Sequence, residues 1–266
     1  MTRHLTLQSK YATSPLPDGW ANNAMVVSGH WFLWGRDDDA EDILSADGYS
    51  ILQKASSLKD PATGQFPGKP GDALCPDLEG GLRFQQLPLL SDANLARAAK
   101  AIDLRLQIAR WLGGGRSTEL YIPGVAIQSQ PTARDLDTFA AIHRLARLGA
   151  FRHLDAFWLR CYADRGVQDA GFDKLKDSMN SLRHMARSWA RAAGRDIKLV
   201  CGLSWELSGS GANPLTEPEA LRLQEEWARN YGFDRVDWYT GDERLSDGSS
   251  VMDKMRDYVN PVGRAG

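Results

Sequence analysis

Strand-like and helix-like runs alternate regularly in the second half of the chain, and this pattern limits the possible folds. Apolar runs begin at residues 119, 154, 197 and 236, so they are 35, 43 and 39 residues apart. Each is followed by a segment with helical periodicity. This spacing is typical of βα units, whose strands pair in parallel. The sequence therefore predicts an α/β domain built on a parallel sheet.

The elements of this half have clear boundaries. We predict strands at 119–128, 154–163, 197–205 and 236–240, and helices at 132–148, 172–193, 218–230 and 250–258. Two helix starts fit a capping box, in which Thr132 precedes Asp135 and Thr216 precedes Glu219. Glycines stand where three of the helices should end, at positions 149, 194 and 232.

The first half follows a looser pattern. It suggests a strand at 24–34, a helix at 41–58, a Gly/Pro-rich loop at 61–81, a strand at 82–87 and a helix at 92–112, and residues 5–8 could add a strand. We count six βα units, two fewer than a full barrel. We therefore predict a single domain over residues 1–266 that forms an incomplete or irregular (β/α) barrel, with the long loop over one mouth. An open doubly wound parallel sheet is the alternative.

The amino-acid composition limits the classes of binding partner and of metal or cofactor site that we expect. Lys and Arg number 32 against 34 Asp and Glu, a net charge of -2, which argues against nucleic acid or an anionic membrane as the main partner. No apolar stretch reaches the roughly 20 residues of a membrane span, and no signal core begins the chain. We expect a soluble protein, cytoplasmic or secreted, of undetermined oligomeric state. The three cysteines show no CxxC spacing and the five histidines are scattered, so no metal site or cofactor is predicted.

Polar residues, most of them acidic, follow the carboxyl ends of the predicted strands. In parallel architectures, functional groups gather at those ends. The residues at or just after strand ends are Asp37, Gln128, Asp164, Glu206, Asp242 and Glu243. We expect them to converge on one rim of the barrel.

Alternation along the strands indicates which side chains point inward. In strand 197–205, Gly202, Ser204 and Glu206 share one face, and the opposite face is apolar. Because the apolar face must pack against the helices, Glu206 is predicted to point into the barrel mouth. The same argument turns Trp158, Arg160, Tyr162 and Asp164 inward, whereas the choice between Asp242 and Glu243 stays open.

Carboxylates beside aromatic rings are what glycoside hydrolysis requires. One acid protonates the leaving oxygen, and a second carboxylate acts as nucleophile or as base toward water. The candidate catalytic residues are Glu206, Asp164, Asp242 and Glu243. The candidate substrate-binding residues are Trp34, Asp37, Gln128, Trp158, Arg160, Tyr162, Trp205 and Tyr239, although Trp205 could belong to the outer core. The Glu206 carboxyl is expected within about 10 Å of at least one of the other three acids.

The strand ends Leu203-Ser204-Trp205-Glu206 and Tyr239-Thr240-Gly241-Asp242-Glu243 resemble those of TIM-barrel glycoside hydrolases, over residues 119–245. The resemblance is at superfamily level and implies hydrolysis of a poly- or oligosaccharide. Two alternatives remain open. The rim could bind a carbohydrate without cleaving it, or it could serve a phosphoester hydrolase or lyase whose divalent cation would be coordinated by Asp37, Asp164 or Glu206.

Overall fold

The structure is a computed structural model of the chain. It describes residues 3–7, 20–22, 26–27, 39–56, 75–76, 83–112, 117–122, 133–161, 172–205, 218–240, 244–245 and 247–259, together with residues 16, 18 and 62.

Eight parallel strands are present in this described part. They are β1 (Arg3–Leu7), β2 (Trp20–Asn22), β3 (Val26–Val27), β4 (Cys75–Pro76), β5 (Glu119–Ile122), β6 (Ala156–Arg160), β7 (Lys198–Ser204) and β8 (Arg235–Thr240). Six of them form one sheet in the order β2-β1-β8-β7-β6-β5, and β3 pairs with β4. Strand β4 also contacts β5.

The strand order distinguishes a barrel from a doubly wound sheet. Strands β5 to β8 lie side by side in chain order, and the last strand then pairs with the first, Arg3 opposite Val236. A doubly wound sheet would instead reverse its order at a switch point and carry helices on both faces. The strand order is therefore that of a (β/α) barrel, which is irregular and not closed among the described strands, because the β3–β4 pair shares no ladder with the six-stranded sheet.

The helices cover one face of the sheet. The helical elements are α1 (Ala40–Ser45), α2 (Gly48–Ser56), the 3-10 helix η1 (Phe84–Leu89), α3 (Asp92–Leu112), α4 (Ala133–Arg147), α5 (Phe172–Ala192), α6 (Pro218–Asn230) and α7 (Val251–Val259). From α3 to α6, each helix packs against the next. The apolar faces of β5 to β8 join these helices in one large core. Burial of this shared surface is the main source of stability.

Within the outer core, four aromatic rings pack together where the first and last parts of the chain meet. Trp205 stacks on Trp238 with ring centroids 4.8 Å apart, and Trp20 and Tyr258 contact both. We call these four residues the outer aromatic cluster. It joins β2, β8 and α7 to the segment that leaves β7.

The second half follows the sequence predictions closely. All four predicted strands and all four predicted helices are present, although strand β5 ends at Ile122 and residues 123–132 lie outside the described part. Gly149, Gly194 and Gly232 have positive φ angles of 87°, 67° and 74° at helix ends, as predicted.

The first half of the chain differs from the sequence predictions at two places. In the described part of the predicted helix 41–58 there are two helices, because Asp47 accepts the backbone N–H of Ser50 at 2.8 Å and starts a second one. The predicted strand 82–87 is wrong, since residues Phe84–Leu89 form the 3-10 helix η1. The Gln86 side chain accepts the backbone N–H of Arg83, and Pro88 has no N–H for a strand ladder. The strand that residues 5–8 could add is present as β1, which covers Arg3–Leu7 and lies between β2 and β8 in the sheet.

Candidate active site

The strands present two chemically different faces. Phe157, Leu159, Leu199 and Leu203 belong to the helix-facing core. The alternate residues face the barrel interior, and they are Glu119, Tyr121, Ala156, Trp158, Arg160, Val200, Gly202, Ser204, Arg235, Asp237 and Tyr239. The inward direction predicted for Gly202, Ser204, Trp158 and Arg160 agrees with this arrangement.

Three aromatic side chains form what we call the interior aromatic cluster. Trp158 lies between Tyr121, at a centroid distance of 5.2 Å, and Tyr239, at 6.2 Å. Trp158 is almost fully buried, whereas the two tyrosines are partly exposed. The cluster therefore offers tyrosine surface, supported by a buried indole, inside the barrel.

Gly202 allows the Trp158 ring to cross strand β7. A Cβ atom added at Gly202 would overlap the six-membered ring of Trp158, which rests directly on the glycine. With this space open, the indole N–H reaches past β7 and donates to the Asp237 carboxylate of β8 at 2.9 Å. The absent side chain at position 202 is thus a requirement of the interior packing.

Below the aromatic rings, three charged residues form what we call the interior ion network. The Arg235 guanidinium donates to both carboxylate oxygens of Asp237 at 2.7 and 2.9 Å, and to Glu119 at 2.7 Å. Glu119 and Arg235 begin β5 and β8, which are separated by two strands, so this contact spans the interior. Both carboxylates are buried. Charged hydrogen bonds across the barrel fix the spacing of these strands.

Burial and charge act in opposite directions on this network. Burial raises the pKa of the Glu119 carboxyl above its ordinary value, although Arg235 opposes that shift. Burial also lowers the pKa of the Arg235 guanidinium, but the attraction of Asp237 and Glu119 outweighs it, so the pKa is raised and the group stays charged. One Glu119 oxygen, Oε1, is buried without a partner among the described residues.

His4 adjoins the same network from strand β1. It is in register with Asp237. Burial lowers the pKa of its imidazole; Asp237 acts against the shift and Arg235 adds to it. The ring is therefore held toward its neutral form inside the barrel.

The described residues among the predicted substrate-binding residues fall on two different faces of the sheet. Trp158, Arg160 and Tyr239 belong to the inward face. Trp205 lies in the outer aromatic cluster and is only 3% exposed, so its ring faces the helices and has no surface for a sugar. Trp205 faces outward because side chains alternate along a strand, which places Trp205 on the same face as Leu203 and opposite Ser204.

The remaining candidate residues lie outside the described residues. They are Trp34, Asp37, Gln128, Tyr162, Asp164, Glu206, Asp242 and Glu243. The loop 61–81 expected over one mouth lies there too, apart from Ala62 and strand β4.

Sequence reasoning missed two sets of acidic residues. Because β4 ends at Pro76, Asp77 and Glu79 follow the carboxyl end of a barrel strand in the sequence. The short apolar run Ala73-Leu74-Cys75 was the available signal, hidden by its Gly/Pro-rich surroundings. Glu119 and Asp237 lie within or at the start of their strands, not at the carboxyl ends from which the site was predicted. The signal for Asp237 is the alternation of charged and apolar residues in Arg235-Val236-Asp237-Trp238.

The described residues contain no group of three or more His, Cys, Asp or Glu side chains arranged to hold a metal ion. None of the helices in the described ranges combines the length and apolar character needed to cross a bilayer.

Comparison with known proteins gives structural matches only. No protein-family profile and no curated protein matches the chain. Bee venom hyaluronidase aligns with a TM-score of 0.59 at 12% identity, over 98% of this chain and 85% of the other. The same enzyme in complex with a hyaluronic acid tetramer aligns with a TM-score of 0.57 at 12% identity, over 97% of this chain and 84% of the other.

The chain shares the fold of bee venom hyaluronidase. The alignment covers nearly the whole chain, and thus includes the irregular first half as well as the regular second half. The predicted likeness to TIM-barrel glycoside hydrolases is therefore confirmed at the level of the fold.

Proposed function

We propose that this protein is a glycoside hydrolase that cleaves a poly- or oligosaccharide at the carboxyl-terminal rim of the barrel. The observation that carries the proposal is the inward row Val200, Gly202 and Ser204 of β7, which leads in sequence to Glu206. Functional groups of barrel enzymes gather at the C-terminal ends of the strands, so an acid that directly follows this inward row stands in the sequence where a substrate would be bound. The shared fold with a hyaluronidase supports the same class of reaction.

In this proposal, Glu206 is one of the two carboxyl groups of the reaction. Its partner is Asp164, Asp242 or Glu243, each of which follows a barrel strand in the sequence, and Asp77 and Glu79 after β4 join these candidates. One carboxyl group donates a proton to the glycosidic oxygen, and the other acts as nucleophile or activates water. Tyr239 and Tyr121 supply ring surface for the sugar, with Arg160 on the same inward face.

The first test is a screen of polysaccharides with product analysis. Hyaluronan is the first substrate to try, because the structurally similar enzyme binds a hyaluronic acid tetramer. Glu206→Gln keeps the size of the side chain and removes its acid. We expect turnover to fall by about 100- to 10,000-fold, as when an acid or base catalyst is lost, with binding of the glycan retained.

The matched control is Glu226→Gln. Glu226 is exposed on α6, the helix that follows β7, so the same substitution there should leave turnover unchanged. Full activity of Glu206→Gln would contradict its role as a catalytic acid, and single variants of the other acids would then identify the pair. Binding without cleavage by the unmodified chain would instead support the non-catalytic carbohydrate-binding alternative.

A further inference from the structure

We infer that Asp237 is a positioning residue, which holds the Trp158 indole across Gly202 and thereby sets the floor of the proposed sugar site. Its functional consequence rests on the proposed glycosidase activity. Its structural part rests on contacts within the described interior: the indole N–H donates to Asp237, and the same ring contacts both Tyr121 and Tyr239.

Burying the Asp237 carboxylate costs free energy, which indicates that its role is to orient the Trp158 ring. Asp237 is fully buried, and moving a carboxylate out of water costs several kcal/mol even after the protein relaxes. An apolar residue at position 237 would fill the barrel without that penalty. What the carboxylate adds is direction. Its two oxygens accept from Arg235 on one side, and one of them also accepts from the Trp158 indole, so the position of the ring is fixed by hydrogen bonds.

The support continues below Asp237. Arg235 is held in turn by Glu119 from β5, so the carboxylate that positions the indole cannot move without breaking a contact across the barrel. The glycine at position 202 contributes as well, because the absence of a Cβ atom there lets the Trp158 ring rest directly on β7. A contact that depends on four strands, β5 to β8, is suited to hold a binding surface in one geometry.

The first measurement follows the Trp158 indole proton by NMR hydrogen exchange. Its signal is assigned by its loss in Trp158→Phe. In Asp237→Asn the strong charged acceptor is gone while the side-chain size is kept, so we expect the Trp158 indole proton to exchange at least about tenfold faster. The indole of Trp189 is the internal control, since it is buried and donates to the Phe139 carbonyl in the outer layer at 3.2 Å. Its exchange should not change.

The second measurement separates positioning from simple stability. With hyaluronan, or the polysaccharide that the screen shows to be cleaved, Asp237→Asn should raise KM by about tenfold and change kcat much less. A displaced floor weakens ground-state and transition-state binding equally. Loss of folded protein would lower the apparent kcat and leave KM unchanged, so the split distinguishes the two.

Gly202→Ala provides an independent variant that leaves Asp237 and Arg235 in place. Its added methyl group must displace the Trp158 ring, so it should also raise KM. In the Trp158→Phe background the smaller ring removes most of the overlap, and the further effect of Gly202→Ala on KM should shrink at least threefold, because residues in contact show coupled effects.

The outcomes are decisive in both directions. Unchanged exchange of the Trp158 indole in Asp237→Asn would overturn the positioning role. Faster exchange with an unchanged KM would show that the interior aromatic cluster does not contact the glycan. If the unmodified chain cleaved no polysaccharide, the proposed function would fail, and the exchange measurement alone would still decide whether Asp237 positions Trp158.

Discussion

The two faces of the same strands are stabilised by different physics. On β8, Val236 and Trp238 face the helices and join a large apolar core, while Arg235 and Asp237 face the interior and form charged hydrogen bonds. The outer face depends on buried area, which has no preferred direction. The inner face depends on contacts with fixed partners. The outer layer therefore contributes non-directional burial of apolar surface, whereas the interior fixes one particular geometry.

Two buried glutamates show the same difference between the outer and inner faces of the sheet. Glu225, on the outer side, accepts from Arg3, Arg229 and Tyr258, and so ties β1 to α6 and α7. Glu119, in the interior, accepts from Arg235, and its other oxygen has no partner within the described residues. The outer carboxylate is thus well satisfied and the inner one is not. Substitutions in the interior should therefore reveal the cost of buried charge more clearly.

The largest expected effect is that of Arg235→Met. Removing the guanidinium leaves Glu119 and Asp237 buried without their cation, which is expected to lower the free energy of unfolding by about 3–5 kcal/mol. The measurement is urea unfolding followed by circular dichroism.

The control for that experiment is Arg97→Met. Arg97 forms an ion pair with Glu41 at 2.6 Å, but both side chains are exposed and screened by water, so its loss should lower the free energy of unfolding far less than Arg235→Met does. Equal losses in the two variants would mean that the interior network contributes no more than a surface ion pair, and the contrast between the faces would fail.

A smaller effect compares the same substitution on the two faces. Trp158→Phe and Trp205→Phe remove the same ring area from two nearly buried positions. Only the first also removes a hydrogen bond to a buried carboxylate, because the Trp205 indole N–H has no partner among the described residues. Trp158→Phe should therefore cost about 1.5–3 kcal/mol more. A difference near zero in matched unfolding curves would show that the indole hydrogen bond adds nothing to stability.

Much of the fold was accessible from the sequence because periodicity reports which face a residue occupies. The apolar run at 197–205 predicted both the strand and its outward-facing residues, and Gly194 and Gly232 predicted the ends of two helices. Local chemistry overrode the pattern elsewhere. The Gln86 side-chain contact and Pro88 turned an apolar run into a 3-10 helix.

The interior contacts were not accessible, because alternation does not say which strands lie opposite one another. Trp158 and Asp237 are 79 positions apart, and they meet only because β6 and β8 flank β7 at a glycine. The partnership of Glu119 with Arg235 likewise depends on the register of four strands. Such contacts are set by the stagger of the barrel, which no single strand encodes.

The smallest predicted effect is a change in the pH dependence of stability on replacing Glu119 by Gln. Burial raises the pKa of Glu119 in the folded chain, so above the ordinary pKa of a glutamate the unfolded chain gives up a proton that the folded chain retains. The free energy of unfolding of the unmodified chain should therefore fall as pH rises through that interval, by at most about 1.4 kcal/mol per pH unit.

Glu119→Gln lacks this titration. Although it also weakens the bond to Arg235, that loss is an offset at all pH values, whereas the slope reports the buried acid. Urea unfolding at several pH values between 4 and 8 measures the difference. Parallel stability profiles for the two chains would show that the interior does not perturb this carboxyl, and the contrast with the outer layer would then rest on geometry alone.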